Sequence, residues 1–458
     1  MIPVPGHVHR LLAALWDAGC ETYPVGGCVR DGLMGRTPAD WDLCTAARPD
    51  QTEAVLGGYR LVETGVKHGT VTVLTEGGPV EITTFRADGA YRDHRRPERV
   101  AFVPDLAEDL ARRDFTVNAM ALGPDGQIVD PYGGRADLAA GVIRCVGEPD
   151  VRFGEDALRI LRALRFASKL DFSIDPATAD SAVKNRALLD HIARERVFAE
   201  LRGILTGPGA GRVLREYAPV VFQVIPELAA EEGFDQKNPH HVHDVWTHST
   251  MAVDAAPPEP VLRPTMLLHD VAKPACFFTD EAGVGHFYGH GERGAEIADS
   301  ILRRLRCDND TRERVCLLIA NHDICPPQTP RAMRRLLAKM GEDAVRQLMA
   351  CWRADCADRV DAVLAADTPW ETLIGTAERI LAELLAGPAP CFSVKSLAVN
   401  GRDILALGVK PGPAVGRVLA GLFDAVADGE LPNERGPLLQ KAAELLKEAC
   451  NQEGNRLK

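Results

Sequence analysis

The chain has 458 residues, too many for one hydrophobic core, and at roughly 150 residues per domain it predicts about three units. Against 53 Lys and Arg stand 65 Asp and Glu, and the formal charge of −12 excludes a generic polyanion binder. Any nucleic-acid surface has to come from local basic clusters, such as Tyr91–Val100, Ala111–Phe115 and the arginines between Arg152 and Arg165.

Twelve cysteines without a CxxC pair argue against a disulfide scaffold or a zinc ribbon. The N-terminal stretch lacks the pattern of a signal peptide, and no apolar run approaches the roughly 18 residues of a membrane span. The expectation is a cytoplasmic protein with no membrane partner.

In chain order, the first informative stretch is "YPVGGCVRDGLMGRTPADWDL", Tyr23–Leu43. Gly26 and Gly27 permit a backbone nest, and the residues after them predict a helix whose first amides point at phosphates, with Arg30 adding charge. In an extended strand side chains alternate, so Asp40 and Asp42 share one side while Trp41 points into the core. Two such carboxylates suit Mg²⁺, a hard cation that takes oxygen ligands and substrate phosphates. Next, His68–Arg86 reads as two strands joined by a Glu-Gly-Gly-Pro turn, which makes Glu81 the natural third carboxylate. The region from Val25 to about Val146 is therefore mixed α/β. Beyond Asp150 strand signals fade, Glu155–Leu170 and Arg194–Leu205 have helical spacing, and the remainder predicts an all-helical structure. Linkers or turns are expected at Gly141–Asp150, Glu231–His240, Leu384–Ser393 and Val409–Gly416.

The glycine and aspartate stretch, together with "RRDFTVNAMA" (Arg112–Ala121), "DPYGG" (Asp130–Gly134) and "EDALRILRALRF" (Glu155–Phe166), resembles the class II tRNA nucleotidyltransferases, the CCA-adding enzymes and their poly(A) polymerase relatives. The four motifs stand in family order within roughly the first 205 residues. The resemblance implies an α+β fold, with a DNA polymerase β-like head of mixed sheet and helices over 1–146. It implies a helical neck and body over 147–232 and a tRNA-binding tail over 370–458. It also implies that Asp40 and Asp42 hold Mg²⁺ and that Arg112, Arg113, Asp114 and Asn118 contact the nucleotide; Arg162 and Arg165 are counted with them. The expected partners are tRNA, CTP and ATP.

Asp156 and Arg159 are three residues apart, so on one helix they would share a face and offer an acceptor beside a donor fork. Cytosine and adenine both present an amino donor and a ring-nitrogen acceptor, whereas uracil and guanine have the opposite polarity, so this pair would accept C and A. An ordinary Asp/Arg ion pair is the alternative. The segment Arg86–Phe102, with Asp93 in it, looks like the loop such enzymes use for the final A, and with "EDALR" intact it favours CCA addition over poly(A) addition. A signalling enzyme that combines a nucleotidyltransferase with a phosphohydrolase is the rival of another class.

A second pattern, "HVHDVWTHST" (His241–Thr250), "LLHDVAKP" (Leu267–Pro274), "GHGERGA" (Gly289–Ala295) and "ANHD" (Ala320–Asp323), resembles an HD-type metal phosphohydrolase domain over 238–365. Carried over by motif, His248, His269 and Asp270 are ligands, with His290, His322 and Asp355 available to the same or a second metal. Such a ligand mixture suits Mn, Fe, Ni or Zn. A domain that keeps its ligands without turnover is the alternative. The "PGPAVG" turn near the C-terminus either sets a helix N-terminus near RNA phosphate or packs a terminal helix pair.

Overall fold

The computed structural model describes residues 2–62, 65, 69–88, 100–237, 242–356, 370–386 and 393–455. Of the segment expected to govern the final A, Arg86–Phe102, residues 89–99 lie outside the described residues, and Arg86–Asp88 pairs antiparallel with Val100–Phe102. The chain divides into two compact units, one comprising Met1–Ala230 with Ser300–Asp308 and the other Glu231–Asp299 with Asn309–Lys458.

The first unit is built on a five-stranded mixed sheet ordered β1-β2-β5-β4-β3, from β1 (Thr22–Pro24), β2 (Trp41–Thr45), β3 (Arg60–Val62), β4 (Thr70–Thr75) and β5 (Gly78–Thr84). β4 and β5 are the expected hairpin, joined through Glu76 and Gly77. β2 and β5 run parallel with Trp41, Asp42 and Leu43 opposite Val80, Glu81 and Ile82. Paired residues share a face, so Trp41, Leu43, Val80 and Ile82 enter one apolar core with Val8, Leu11 and Leu15 of helix α1 (Gly6–Asp17). Asp42 and Glu81 are left on the other face.

Helix α2 (Gly27–Leu33) follows Gly26 as expected, and α3 (Pro49–Val55) follows β2. Then come α4 (Leu106–Ala111), α5 (Gly134–Ala140), α6 (Pro149–Glu155) and α7 (Leu158–Leu170).

Two sequence expectations need correction. The stretch from Gly141 to Asp150 is no free linker: Val142–Ile143 pairs in parallel with Ser173–Ile174, and Cys145 is buried and bridges to Phe115. This apolar run is docked rather than spanned. Glu155–Leu170 is two helices rather than one. Asp156 sits between α6 and α7 at φ −135°, ψ 103°, an extended conformation, and its Oδ1 accepts from the Leu158 amide. A short acidic side chain at a helix start competes with continuing the helix before it.

The second unit is helical apart from a hairpin, Phe278–Thr279 with Gly285–His286. Its principal helices are Val245–Ala255, Leu262–Leu268, Asn309–Ile319, Pro330–Met340, Glu342–Asp355 and Trp370–Ala386, and the helix His290–Arg304 belongs to it up to Asp299. In the tail, Gly401–Leu405, Pro413–Ala427 and Arg435–Asn455 enclose their own cluster around Ile404, Leu422 and Leu438. No helix among the described residues is long and apolar enough to cross a membrane.

Candidate active site and metal centre

Asp40 lies in the bend before β2 and Asp42 in the strand, both exposed at the rim while Trp41 is buried, which is the alternation expected. Burial, then the charges of Glu81 and Asp40, push the Asp42 carboxyl above its ordinary range, and Arg113 offsets part of this. Three carboxylates thus crowd one edge of the sheet. Their all-oxygen donor set and mutual repulsion fit a hard divalent cation.

The nucleotide-binding candidates assemble around this rim. Gly26 adopts φ 77°, and a Cβ there would stand 3.2 Å from Arg113 Nη1, so both backbone sign and space select glycine. Gly27 opens α2. Arg112 and Arg113 are held by Asp109, a fully buried carboxylate that the sequence reading missed: Arg112 Nη2 reaches Oδ1 at 2.7 Å and Arg113 Nη2 reaches Oδ2 at 3.1 Å. Arg162 Nε donates to Asp114 Oδ2 at 2.9 Å, Asn118 Nδ2 donates to Asp114 Oδ1 at 3.2 Å, and Arg30 Nη1 donates to Asn118 Oδ1 at 2.6 Å. Burial alone would raise Asp114, but Arg162 outweighs it and holds the carboxyl at about 2. Arg30, Arg162 and Arg165 surround the Phe166 ring, their guanidinium carbons 5.3, 5.4 and 4.5 Å from its centroid. A ring face stabilises three converging cations that would otherwise repel.

Asp156 and Arg159 are not presented from one helix face. Asp156 Oδ2 accepts from Arg196 Nη2 at 3.3 Å, and Arg159 is buried, donating to Glu155 Oε2 at 2.5 Å and to the Arg112 carbonyl at 3.1 Å. The break between α6 and α7 anchors the two independently, and Glu155 is a positioning residue that the Asp/Arg spacing concealed.

In the second unit His248, His269, Asp270 and Asp355 form one buried group, and Asp270, His290 and His322 form another; Asp270 belongs to both. Local structure aims them. Asp244 caps the helix of His248 through the Thr247 amide, and Trp352 Nε1 donates to the His322 carbonyl. Nδ1 of His269, His290 and His322 sits 2.8, 2.8 and 2.7 Å from the carbonyls of Met266, Phe287 and Ile319. A carbonyl accepts only from N–H, so the proton is on Nδ1 and Nε2 faces inward. Nε2 of His248 and His269 are 3.2 Å apart, and those of His290 and His322 are 3.1 Å apart. Nitrogen lone pairs at such separations repel unless a proton or cation lies between them, so the donor set fits a metal. Burial would lower His269, but Asp270 and Asp355 outweigh it and raise it to about 10. Lys273 Nζ meets Asp270 Oδ2 at 2.7 Å. Burial, reinforced by Asp270, pushes the enclosed Glu231 up to about 8. Neither Lys273 nor Glu231 was signalled by the histidine spacing; a Lys three residues after an Asp is too common in helices to mark a site, and Glu231 stands outside every histidine motif.

Comparison with known proteins decides between the readings of the head. A family model described as poly A polymerase head domain matches residues 22–144, one described as probable RNA and SrmB-binding site of polymerase A matches 171–230, and one described as tRNA nucleotidyltransferase domain 2 matches 293–442. The CCA-adding enzyme of Limosilactobacillus reuteri is 33% identical over 447 residues, 96% of each chain. This chain belongs to the CCA-adding enzyme family. Another member, from Geobacillus stearothermophilus, is 45% identical over 223 residues, 48% of this chain and 55% of that one. Among solved structures, the Bacillus stearothermophilus CCA-adding enzyme in complex with CTP superposes with a TM-score of 0.68 at 30% identity, covering 98% of both chains. The Thermotoga maritima enzyme complexed with tRNA shares the fold at 0.57 and 19% identity. The fold is therefore α+β with a polymerase β-like nucleotidyltransferase head, and the chain is a tRNA nucleotidyltransferase.

Proposed function

We propose that the chain adds C, C and A to the 3′ end of tRNA, consuming CTP and ATP and releasing pyrophosphate, in the cytoplasm where those substrates meet. The observation that carries this reading is the parallel register that sets Glu81 beside Asp42, next to the Arg113 and Asp114 network. In this reading residues 1–146 are the head, 147–232 the neck and body, 238–365 an HD-type domain and 370–458 the tail.

Asp40, Asp42 and Glu81 would hold Mg²⁺. Bound there, one or two such ions supply charge stabilisation on the transferring phosphoryl group and a more acidic 3′-hydroxyl. Arg112 and Arg113, pre-oriented by Asp109, neutralise the triphosphate, and Asp114, Asn118 and Arg30 bind the ribose side. The 3′-oxygen bonds to the α-phosphorus, the bond to pyrophosphate breaks, and the hydroxyl proton is released. Asp156 accepts from the base amino group and Arg159 donates to the ring nitrogen. Incubating the protein with a tRNA transcript ending before CCA should give C, C with CTP and the complete end with CTP plus ATP. A long A tail from ATP alone would assign poly(A) polymerase instead.

The convergent Nε2 atoms support a second activity, metal-dependent hydrolysis of phosphomonoesters or 2′,3′-cyclic phosphates at RNA ends, with Mn, Fe, Ni or Zn as the metal. Water oxygen adds to phosphorus, one ester P–O bond breaks, and the departing ribose oxygen takes the proton. Asp270, common to both ligand groups, would be a ligand with either set. Elemental analysis and turnover of 2′,3′-cyclic nucleotides with each metal test this, and a metal-free, inactive cluster would leave a structural role.

A further inference from the structure

A cleft of about 230 Å³ opens on the metal candidates, lined by Asp270, His290, His322 and Asp355 and by His286, Phe287 and Tyr288 of the hairpin segment. The hairpin has two faces. On the inner one Phe287 packs against Phe277, with ring centroids 5.6 Å apart, and lies under the Lys273 ammonium at 5.3 Å. On the outer one Phe278 and His286 are cross-strand partners, 5.4 Å apart and stacked, and Tyr288, two residues on from His286, lies 5.5 Å from both rings, stacked on His286 at 21° and tilted against Phe278 at 48°. His286 is fixed by Asp280 Oδ2 at 2.9 Å. Yet Tyr288 is 76% exposed and Phe278 45%. Three clustered rings, two of them well exposed, beside a phosphate-type site are costly to leave in water and ordered in advance for another flat ring.

We propose that Phe278, His286 and Tyr288 form a stacking platform for the terminal base of single-stranded RNA, so that the cleft takes a phosphate carried on a nucleoside at an RNA 3′ end. This rests on reading the cluster as a phosphohydrolase and adds its substrate class. A π-face recognises any base, which suits the repair of ends whose last nucleotide varies, and two of the three rings, His286 and Tyr288, line the cleft itself. Small base-free phosphate esters lack the partner for this surface.

The test uses the full chain with saturating ATP and CTP to fill the head, and 2-aminopurine riboside 3′-phosphate as the probe, whose fluorescence is quenched on stacking. Quenching is expected with the wild type, weaker binding by roughly tenfold in Tyr288→Ala, and near-normal binding in Tyr288→Phe. Base-free ribose 3-phosphate should compete equally well in wild type and Tyr288→Ala. Where cyclic nucleotides are turned over, Tyr288→Ala should raise KM for them and leave ribose 2,3-cyclic phosphate unchanged. Tyr288-dependent quenching without turnover upholds the platform while the hydrolase reading fails. Turnover with equal KM for nucleoside and ribose substrates, or quenching indifferent to Tyr288, overturns the platform and assigns the rings to another contact, such as a protein surface.

Discussion

Asp42, exposed at the sheet rim, and Asp114, buried, are carboxylates that their neighbours drive in opposite directions. Asp42 faces Glu81 and Asp40 and is pushed up; Asp114 faces Arg162 and is held at about 2. The first is an unbalanced site awaiting positive charge, the second a finished ion pair. Asp42→Asn should therefore reduce kcat for nucleotide addition by roughly 100- to 1,000-fold while changing tRNA affinity little, which gel-shift binding beside single-turnover kinetics would check. For Asp114 the folded value lies below the unfolded one near 4, so its ionised form stabilises the head, fully above about pH 5 and progressively less as pH falls towards 2. That contribution is about 2 kcal/mol. Asp114→Asn should lose it at pH 7, and urea unfolding should show the gap to wild type narrowing between pH 6 and pH 3.

The break between α6 and α7 matters at the scale of elements because it gives Asp156 two tasks, capping α7 at the Leu158 amide and accepting from Arg196 on its other oxygen. Asn caps helices as well as Asp, but its amide can turn a donor outward. Asp156→Asn should keep the thermal midpoint within a few degrees and relax rejection of UTP relative to CTP by roughly 10- to 100-fold, measured as the ratio of kcat/KM. Motif spacing singled out both members of this pair as candidates, since they are named by residue type. It did not reveal the break, because apolar periodicity runs continuously across Asp156 and only the cap distinguishes one helix from two. β2 was legible for the opposite reason: Trp41 between two aspartates has only one amphipathic reading. Asp109 and Glu231 were not, because what defines them is burial and three-dimensional neighbours, which a single acidic letter does not carry.

For the whole molecule, the two units carry different donor chemistry, all-oxygen on the sheet edge and nitrogen with oxygen in the helical cluster. Micromolar Ni²⁺ should prefer the latter. At 100 times its dissociation constant a ligand adds about 2.7 kcal/mol to the unit that binds it. Scanning calorimetry should therefore show one transition moving up by several degrees and another unmoved, with the shift lost in His269→Ala; equal movement of every transition would contradict separate sites. The change from a mixed sheet to helices was readable from residue spacing, whereas the hairpin beside the cluster was not, its strands being two residues each. The register of β2 on β5 has one more consequence. The same hydrogen bonds that seat Trp41 and Leu43 in the core decide which way Asp42 and Glu81 face. A one-residue slip would expose a tryptophan and bury two acids, so a head assembled out of step fails as a protein before it can fail as a catalyst. Every head that survives folding is thereby armed, and inspection of stability alone suffices as quality control for the chemistry.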